Sequence, residues 1–473
     1  MVNVWTRFLC PARGNNHTFH DQALAEGRSW EERVTQKLSS VVFDKLFSTL
    51  LNALYKNDPQ APKLPLTDQY LNELKEAGLI LLYRILFVLY AEDRNLLPTK
   101  TEGYRNYSLH KIREEIANHV TRRVEFSDLA SKYYNSMQND LFRIINQGDS
   151  SLNVPPYNGG LFDPEQHQLL KRTELSDTIF VPLLDSLSRT VLDSLSRTDR
   201  KWINYRDLSV QHLGSIYERL LEIEPYLNND NIIKTRFNVY ARKDSGSYYT
   251  PEELVRLIIE RTIEPLLEEI KNTFIKQVKQ LKDNNCLQTD QLEELKVFDP
   301  ASAMLKLCIC DPAMGSGHFL VSLVDYLADN ILEAIAKAES IVKEIDENIN
   351  YQSPLIQRIE TLREQILNKA KTNKWEIQRE HLDDRLLVRR IILRRVIYGI
   401  DINPMAVELA KVSLWLHTFT VGAPLSFLDH HLVCGNALFG EWVNLVEKEL
   451  TTSNFSLFIN PYIQQAMQTA RAM

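Results

Sequence analysis

The chain has 473 residues, of which 55 are Lys or Arg and 62 are Asp or Glu, so its formal charge is −7. This balance excludes a polybasic, histone-like protein, although a local basic face is compatible with an acidic whole. Charged residues make up 25% and hydrophobic residues 44%, as in ordinary globular proteins, whereas glycine contributes only 15 residues. A chain with so little glycine is predicted to be mostly helical, and its length suggests two to four domains.

The five cysteines are an odd number, and none stands in a C-x-x-C pair. This pattern excludes a zinc ribbon and a disulfide scaffold and is typical of a reducing compartment. The first residues, MVNVWTRFLCPARG, lack the basic segment and the long apolar segment of a signal peptide. We therefore expect a cytoplasmic protein.

Residues 1–240 are predicted to form a mostly α-helical region. The run 79–91 is strongly apolar, but it carries Arg84 and is too short to span a bilayer. It therefore predicts a buried core helix within residues 71–94, ended by Asn and Pro.

Two further features belong to this region. A second helix is predicted over residues 213–223. The string LDSLSRT at 184–190 recurs at 192–198, which we interpret as a duplication that lengthens one helix or loop.

The pattern changes at a Gly/Ser loop, residues 243–251. Thr250 is a good N-cap, Pro251 suits the first helical position, and Glu253 completes a capping box. These residues predict a helix that starts here and continues to about residue 270.

Three short apolar segments, 306–310, 396–401 and 432–434, then predict strands of an α/β fold. The turn after the first strand and the acid that ends the second are 90 residues apart, where about 20 are usual. The long charged helices over 328–395 are therefore predicted to be an insertion packed outside the sheet.

Polar and glycine residues follow each of these strands, and in an open α/β sheet ligands bind beyond the carboxyl ends of the strands. Gly315 and Gly317 remove Cβ atoms where the backbone turns tightly, and the next helix directs free amides at a ligand. Asp401 can accept both hydroxyls of a ribose, and Asn436 can hydrogen-bond the edge of a nucleobase. Each feature alone also fits a plain turn or a helix cap, but their order on three successive strand ends predicts a nucleotide pocket.

The turn also distinguishes between nucleotides. A dinucleotide site requires G-x-G-x-x-G, and here Leu320 occupies the position of the third glycine. The first residue of the turn is an acid, Asp311. A negative charge there suits a diphosphate less well than a cationic nucleoside that carries an amino acid. The turn therefore favours S-adenosylmethionine (SAM) over NAD, with an NAD-dependent oxidoreductase as the alternative.

At these residues the sequence resembles a known family. The segment Asp311–Leu320, DPAMGSGHFL, resembles motif I of the N6-adenine-specific DNA methyltransferases. Tyr248–Pro251 resembles their motif X, Gly399–Pro404 their motif II and Cys434–Leu438 their motif III. This is the γ-type motif order, and over most of residues 20–445 the chain is similar to the large single-chain type IIG restriction–modification enzymes.

The resemblance implies an α/β SAM-dependent methyltransferase fold, Rossmann-like with an incomplete sheet, over residues 241–473, preceded by the helical region 1–240. It implies SAM as the cofactor, double-stranded DNA as a partner, and a role in a restriction–modification or related defence system. The implied cofactor-binding residues are Thr250, Asp311, Ala313, Gly315, Gly317, Asp401, Ile402 and Asn436.

The family also implies a role for each of these residues. Thr250 would hold the methionine carboxylate of the cofactor, and the residues of the glycine turn would line its methionine and ribose. Asp401 would bind the ribose hydroxyls, and Ile402 would pack on the adenine. Asn436 would contact the adenine amine, although the family more often has Asp at this position.

The family's catalytic motif, Asn or Asp followed by Pro-Pro and an aromatic residue, does not occur in the printed sequence. Two strings imitate it: VPPY at 154–157 lacks the polar residue, and NPY at 460–462 has one proline. We therefore assign no catalytic residue and expect the helical and cofactor-binding part of an enzyme cut before its catalytic strand. A truncated gene and the first of two split polypeptides, with a second polypeptide carrying the rest, are both compatible with this. The alternative is a catalytically silent SAM- or DNA-binding fragment that needs a partner polypeptide.

Five arginines stand on one predicted helix: Arg385, Arg389, Arg390, Arg394 and Arg395. Their spacing puts several of them on one face, as a phosphate-binding stripe requires. A solvated face, or ion pairs with the neighbouring Glu-rich helix, explains the same spacing, and the sequence favours this simpler interpretation.

Overall fold

The structure, a computed structural model, describes most of the chain between residues 46 and 438. The described ranges are 46–61, 67–157, 160–190, 200–208, 223–228, 232–237, 250–283, 289–344, 351–372, 382–418 and 425–438, with the single residues 18, 26, 27, 29, 33 and 379.

The N-terminal part is mainly helical, as predicted. Its α-helices are α1 (Phe47–Asn57), α2 (Asp68–Asp93), α3 (Glu102–Arg105), α4 (Leu109–Thr121), α5 (Lys132–Asn135), α6 (Phe142–Gln147), α7 (Gln168–Arg172) and α8 (Asp177–Ser188). A π-helical turn, Ser136–Leu141, joins α5 to α6. Two short antiparallel strand pairs are β1 (Arg189–Thr190) with β2 (Lys201–Trp202), and β3 (Ile223–Leu227) with β4 (Ile233–Phe237).

Two of the sequence predictions concern residues in or next to these strand pairs. The predicted helix over 213–223 lies outside the described residues except for Ile223, which begins β3. The first copy of the repeated string ends α8 and forms β1. The second copy, 192–198, lies outside the described residues.

Helix α2 is the apolar centre of the N-terminal part. Thr67 caps it by accepting a hydrogen bond from the Tyr70 N–H, and every residue from Leu79 to Glu92 is buried. Arg84 lies inside the core, where its Nε donates to the Leu161 carbonyl oxygen at 2.7 Å. The predicted buried core helix is thus confirmed, and none of the helices in the described part of the chain is long and apolar enough to cross a bilayer.

The C-terminal part alternates helices with parallel strands. Its elements are α9 (Glu252–Asp283), α10 (Thr289–Val297), α11 (Pro300–Met304), β5 (Ile309–Asp311), α12 (His318–Lys343), α13 (Pro354–Thr372), α14 (Asp384–Arg395), β6 (Ile397–Asp401), α15 (Pro404–His417) and β7 (Leu432–Cys434). The sheet order is β5-β6-β7, and in its register Asp311 faces Gly399 and Asp401 faces Cys434. The three predicted strands are confirmed, although β5 begins three residues later than predicted.

The helices between β5 and β6 differ from the predicted insertion. Helix α12 runs without a break over His318–Lys343, so the predicted start at residue 328 falls inside it. Helix α14 contacts α12 and β6 and buries Leu387, Val388 and Ile391. Spacings of three and four residues put these side chains on one face. Helix α14 therefore packs chiefly on α12, with a smaller contact to β6, which follows it in the chain. The insertion over 328–395 stays a prediction.

One hydrophobic core continues through both parts. Phe87 of α2 stacks on Trp415 of α15 with ring centroids 5.3 Å apart, and Tyr157 meets the same indole edge to face at 5.0 Å. Most buried side chains form one contiguous cluster from α1 to β7, and a smaller second cluster lies where α9, α10 and α12 meet. The predicted boundary at 240/241 lies outside the described residues, and the two regions that it separates share this core.

Candidate cofactor site

The turn between β5 and α12 crosses over the end of β6, where the Met314 N–H donates to the Ile400 carbonyl oxygen at 3.1 Å. Gly315 and Gly317 have φ angles of 55° and 83°, in the left-handed region that favours glycine. Gly317 is also the N-cap of α12. The two glycines therefore let the chain reverse from a strand into a helix whose positive dipole end lies at the strand ends.

Asp401, the last residue of β6, lies directly against this turn. Its Oδ2 accepts a hydrogen bond from the Gly315 N–H at 2.9 Å, and its Oδ1 accepts one from the Asn403 N–H at 2.8 Å. Because each carboxylate oxygen has a second lone pair, both can still accept from a ligand. The two elements are 86 residues apart in sequence, yet they meet in one place and fix the orientation of the carboxylate.

A cavity of about 500 Å³ lies between the turn, the carboxylate that ends β6 and the first turns of α9. Helix α9 contributes Ile258, Ile259, Thr262 and Ile263 as one wall, and Thr250 borders the cavity just before this helix. The volume falls within the range of about 300–1,000 Å³ that is usual for small-molecule sites. The cavity is thus large enough for a nucleoside.

The cavity carries negative charge. Asp311 and Asp401 line it, and none of the described lining residues is Lys or Arg. Burial and the nearby Asp401 carboxylate raise the pKa of Asp311, while the Ala313 N–H, which donates to Asp311 Oδ1 at 3.0 Å, acts in the opposite direction. A cationic ligand relieves repulsion between two carboxylates, whereas a diphosphate increases it. The electrostatics of the cavity therefore fit a cation.

The structure brings five of the eight predicted site residues around this cavity: Thr250, Asp311, Ala313, Gly315 and Asp401. The other three lie beside it. A Cβ on Gly317 would lie 3.1 Å from the Ala410 Cβ, so this glycine serves helix packing. Ile402 is 60% exposed next to the carboxylate. Asn436 closes its own turn, because its Oδ1 accepts from the Leu438 N–H at 2.9 Å, and it does not line the cavity.

Sequence reasoning missed the wall that α9 forms. Ile258, Ile259, Thr262 and Ile263 recur with the spacing of one helix face, which signals that this face is covered. Periodicity does not say which element covers it, and the covering turn lies about 50 residues further along the chain.

The string that imitates a catalytic motif in the N-terminal part has a packing role. Tyr157 is buried, its hydroxyl donates to the Leu96 carbonyl oxygen at 3.3 Å, and its ring packs on Trp415. The second imitation, 460–462, and the two tyrosines of the predicted motif X, 248–249, lie outside the described residues.

Comparison with known protein families points to the same part of the chain. Residues 276–472 match the family model described as MmeI, DNA-methyltransferase domain. This match includes the three parallel strands, the glycine turn and Asp401, and it begins inside α9. The C-terminal part is therefore similar to a DNA methyltransferase domain.

Two individual proteins are also similar to the chain. The putative type II restriction enzyme and methyltransferase RM.MjaORFECS2P of Methanocaldococcus jannaschii is 26% identical over 398 residues, which cover 80% of this chain and 28% of that protein. A solved structure of the type IIL restriction–modification enzyme MmeI in complex with DNA is similar with a TM-score of 0.39 and 18% identity, over 85% of this chain and 41% of that chain. The chain thus spans less than half the length of either protein.

Proposed function

We propose that the chain is the helical and cofactor-binding part of a SAM-dependent DNA methyltransferase of a restriction–modification system. The observation that carries this proposal is that the glycine turn, Asp401 and Thr250 line the same cavity. The match of residues 276–472 to a DNA-methyltransferase domain supports it independently.

The cavity fits the chemistry of SAM. The cofactor carries a sulfonium and an ammonium group, and the two lining carboxylates attract both. The free lone pairs of Asp401 suit the ribose hydroxyls, Thr250 suits the methionine carboxylate, and exposed Ile402 offers an apolar surface to the adenine. When bound, SAM supplies an electrophilic methyl group, and the chain's residues hold and orient it.

The proposed methyl acceptor is the N6 amine of adenine in double-stranded DNA. This finer assignment rests on the resemblance of Asp311–Leu320 and the following motifs to the adenine-specific enzymes. An NAD-dependent reaction is disfavoured, since the cavity offers carboxylates where a diphosphate requires cations or amides.

Isothermal titration calorimetry of the purified chain with SAM tests the proposal. We expect saturable binding, and we expect Asp401→Asn to weaken it about tenfold or more, because the substitution removes the charge of an acceptor pair. Asp329→Ala, which removes an exposed carboxylate paired with Arg385, is the matched control and should bind SAM like the wild type. Failure of the wild-type chain to bind SAM would reject the proposal.

The sequence leaves a second candidate function open. In this alternative the chain is a catalytically silent SAM- or DNA-binding module that acts with a partner polypeptide. Incubation of the chain alone with DNA and methyl-labelled SAM distinguishes the two. Robust transfer of label eliminates the silent module, and nucleoside analysis of the product identifies the methylated base.

A further inference from the structure

A groove of about 640 Å³, distinct from the cofactor cavity, lies between α13 and α14. Four arginines line it, and we call it the arginine groove: Arg358 from α13, and Arg390, Arg394 and Arg395 from α14. None of the described residues that line it is Asp or Glu. This local excess of positive charge stands in a chain whose formal charge is −7.

The arginines of α14 divide into two sets by the face on which they lie. Arg385 and Arg389 pair with Asp329 and Asp325 of α12 and so tie α14 to its neighbour. The arginines of the groove lie on the other side. Among the ion pairs of the described residues, none includes Arg358, Arg394 or Arg395.

The acidic residues of α13 do not compensate the groove. Glu360 pairs with Arg363 and Arg379, and Glu364 also lies within ion-pair distance of Arg379. These carboxylates stand on a different face of α13 from Arg358. Among the described residues, Arg358, Arg394 and Arg395 therefore keep positive charge in the groove although two carboxylates stand on the same α13 helix.

The guanidinium groups act on one another along α14 and across the groove. Burial, followed by the charge of Arg394, lowers the pKa of Arg390 to about 10. Burial and the charge of Arg395 lower the pKa of Arg358 in the same way. A bound anion removes this repulsion, so the groove is electrostatically prepared for one.

The shape and lining indicate phosphate groups. A guanidinium presents a planar fork of donors that matches two phosphate oxygens, and the neutral side chains Gln357 and Thr361 add hydrogen-bonding groups beside it. Arg394 and Arg395 stand in the last turn of α14, where the helix dipole is negative. Because the helix end disfavours an anion, any phosphate bound here would depend on the exposed side chains, as in sequence-independent contacts to a nucleic-acid backbone.

The groove is separate from the cofactor cavity. Arg395 ends α14 two residues before β6 begins, whereas Asp401 ends β6. At about 3.3 Å per residue, β6 separates the two sites by roughly 13 Å. An anion in the groove therefore does not contact the cavity.

We propose that the arginine groove binds backbone phosphates of double-stranded DNA. The choice of DNA rests on the proposed function, and the groove itself defines the phosphate chemistry. Its contribution is to affinity and not to sequence choice, since phosphate contacts carry no base information.

The proposal is tested by comparing the DNA affinity of the double variant Arg394→Ala/Arg395→Ala with that of the wild type. Fluorescence anisotropy with a labelled 30-base-pair duplex measures both affinities. We expect affinity to fall about tenfold or more at 150 mM salt, equally for unrelated sequences. The slope of log affinity against log salt concentration should become shallower by about 2, because two phosphate contacts are lost. Arg385→Ala, which removes an arginine paired with Asp329, is the charge control and should leave the slope almost unchanged.

Calorimetry with SAM on the same variants separates this proposal from the proposed function. Unchanged SAM binding by Arg394→Ala/Arg395→Ala, together with weaker DNA binding, supports the groove. Equal DNA affinity of the wild type and this variant overturns it, even where SAM binds normally. Titration with pyrophosphate is the last arm: saturable pyrophosphate binding that Arg394→Ala/Arg395→Ala abolishes, together with unchanged DNA affinity of that variant, reassigns the groove to a small phosphate compound and overturns the DNA proposal.

Discussion

Gly399 in the middle of β6 leaves room for the thioether of Met314 to cross the strand. A Cβ at this position would overlap Met314 Sδ and would lie 3.0 Å from Leu320 Cδ1. Met314 belongs to the glycine turn, and its N–H is bonded to the Ile400 carbonyl oxygen. The absence of one side chain in the central strand thus sets the position of the cofactor turn.

Gly399→Ala is expected to lower the free energy of unfolding by about 1–3 kcal/mol, because it overpacks a filled site. It should also weaken SAM binding, since Met314 and the turn must shift. Gly435→Ala is the control, as nothing lies within 4 Å of its added Cβ. Urea unfolding measures both variants, and equal losses at the two positions would contradict this account of Gly399.

Glu92 is a buried carboxylate that holds the start of α4. Its Oε1 accepts from the Tyr104 hydroxyl and the Leu109 N–H, both at 2.8 Å, and its Oε2 accepts from the His110 N–H at 2.7 Å. Burial outweighs these hydrogen bonds and raises the pKa of Glu92 to about 7. The group thus takes up a proton in the folded chain at a pH where the unfolded chain has released it.

The pH dependence of stability follows from this raised pKa. Between about pH 4.5 and 7 the folded chain binds one proton more than the unfolded chain at Glu92, so the free energy of unfolding falls as the pH rises through this range. The stability that protonated Glu92 contributes to the folded state is fully present below pH 4.5 and lost above pH 7. Its upper limit is about 3 kcal/mol. Glu92→Gln cannot ionise, so the stability difference between wild type and variant should shrink from pH 5 to pH 7.5 in urea titrations. A difference that is constant with pH would disprove the assignment.

At the scale of elements, α15 connects the parallel sheet to the helical part. It follows β6 directly, begins with the Asn403 cap, and buries Trp415 against Phe87 and Tyr157. Arg84 of α2 extends the same contact region, because it lies over the rings of Phe142 and Phe162. The helix that follows the ribose-binding candidate is therefore fixed by residues more than 250 positions earlier in the chain.

Trp415→Ala is expected to cost about 3–5 kcal/mol, because it opens a large cavity between α15 and α2. Trp202→Ala, at a side chain that is 47% exposed, should cost clearly less. Circular dichroism at 222 nm follows the unfolding of both variants without relying on tryptophan fluorescence. Comparable stability of the two variants would show that the Trp415 contacts do not hold the parts together.

At the scale of the whole molecule, the contiguous core predicts that both parts unfold together. We expect one calorimetric transition, and we expect SAM at 100 times its dissociation constant to stabilise the folded state by about 2.7 kcal/mol and raise the midpoint of that transition. At the same SAM concentration, a tenfold weaker affinity leaves about 1.4 kcal/mol, so Asp401→Asn should remove about half of the stabilisation or more. Two separate transitions, of which SAM shifts one, would refute the single cooperative unit.

The sequence by itself determined the three strands, the glycine turn, the carboxylate at Asp401 and the buried helix around Arg84. Each of these is a local pattern of periodicity, backbone freedom or capping, so neighbouring residues suffice to reveal it. The family resemblance likewise depended on short strings that can be read without a structure.

Only the tertiary structure decided which distant elements meet. It made α9 the wall of the cavity, turned Asn436 onto its own loop, packed α14 on α12, and divided the arginines of α14 between ion pairs and an open groove. Helical spacing defines a face but not its neighbour, because the neighbour comes from packing between segments far apart in the chain.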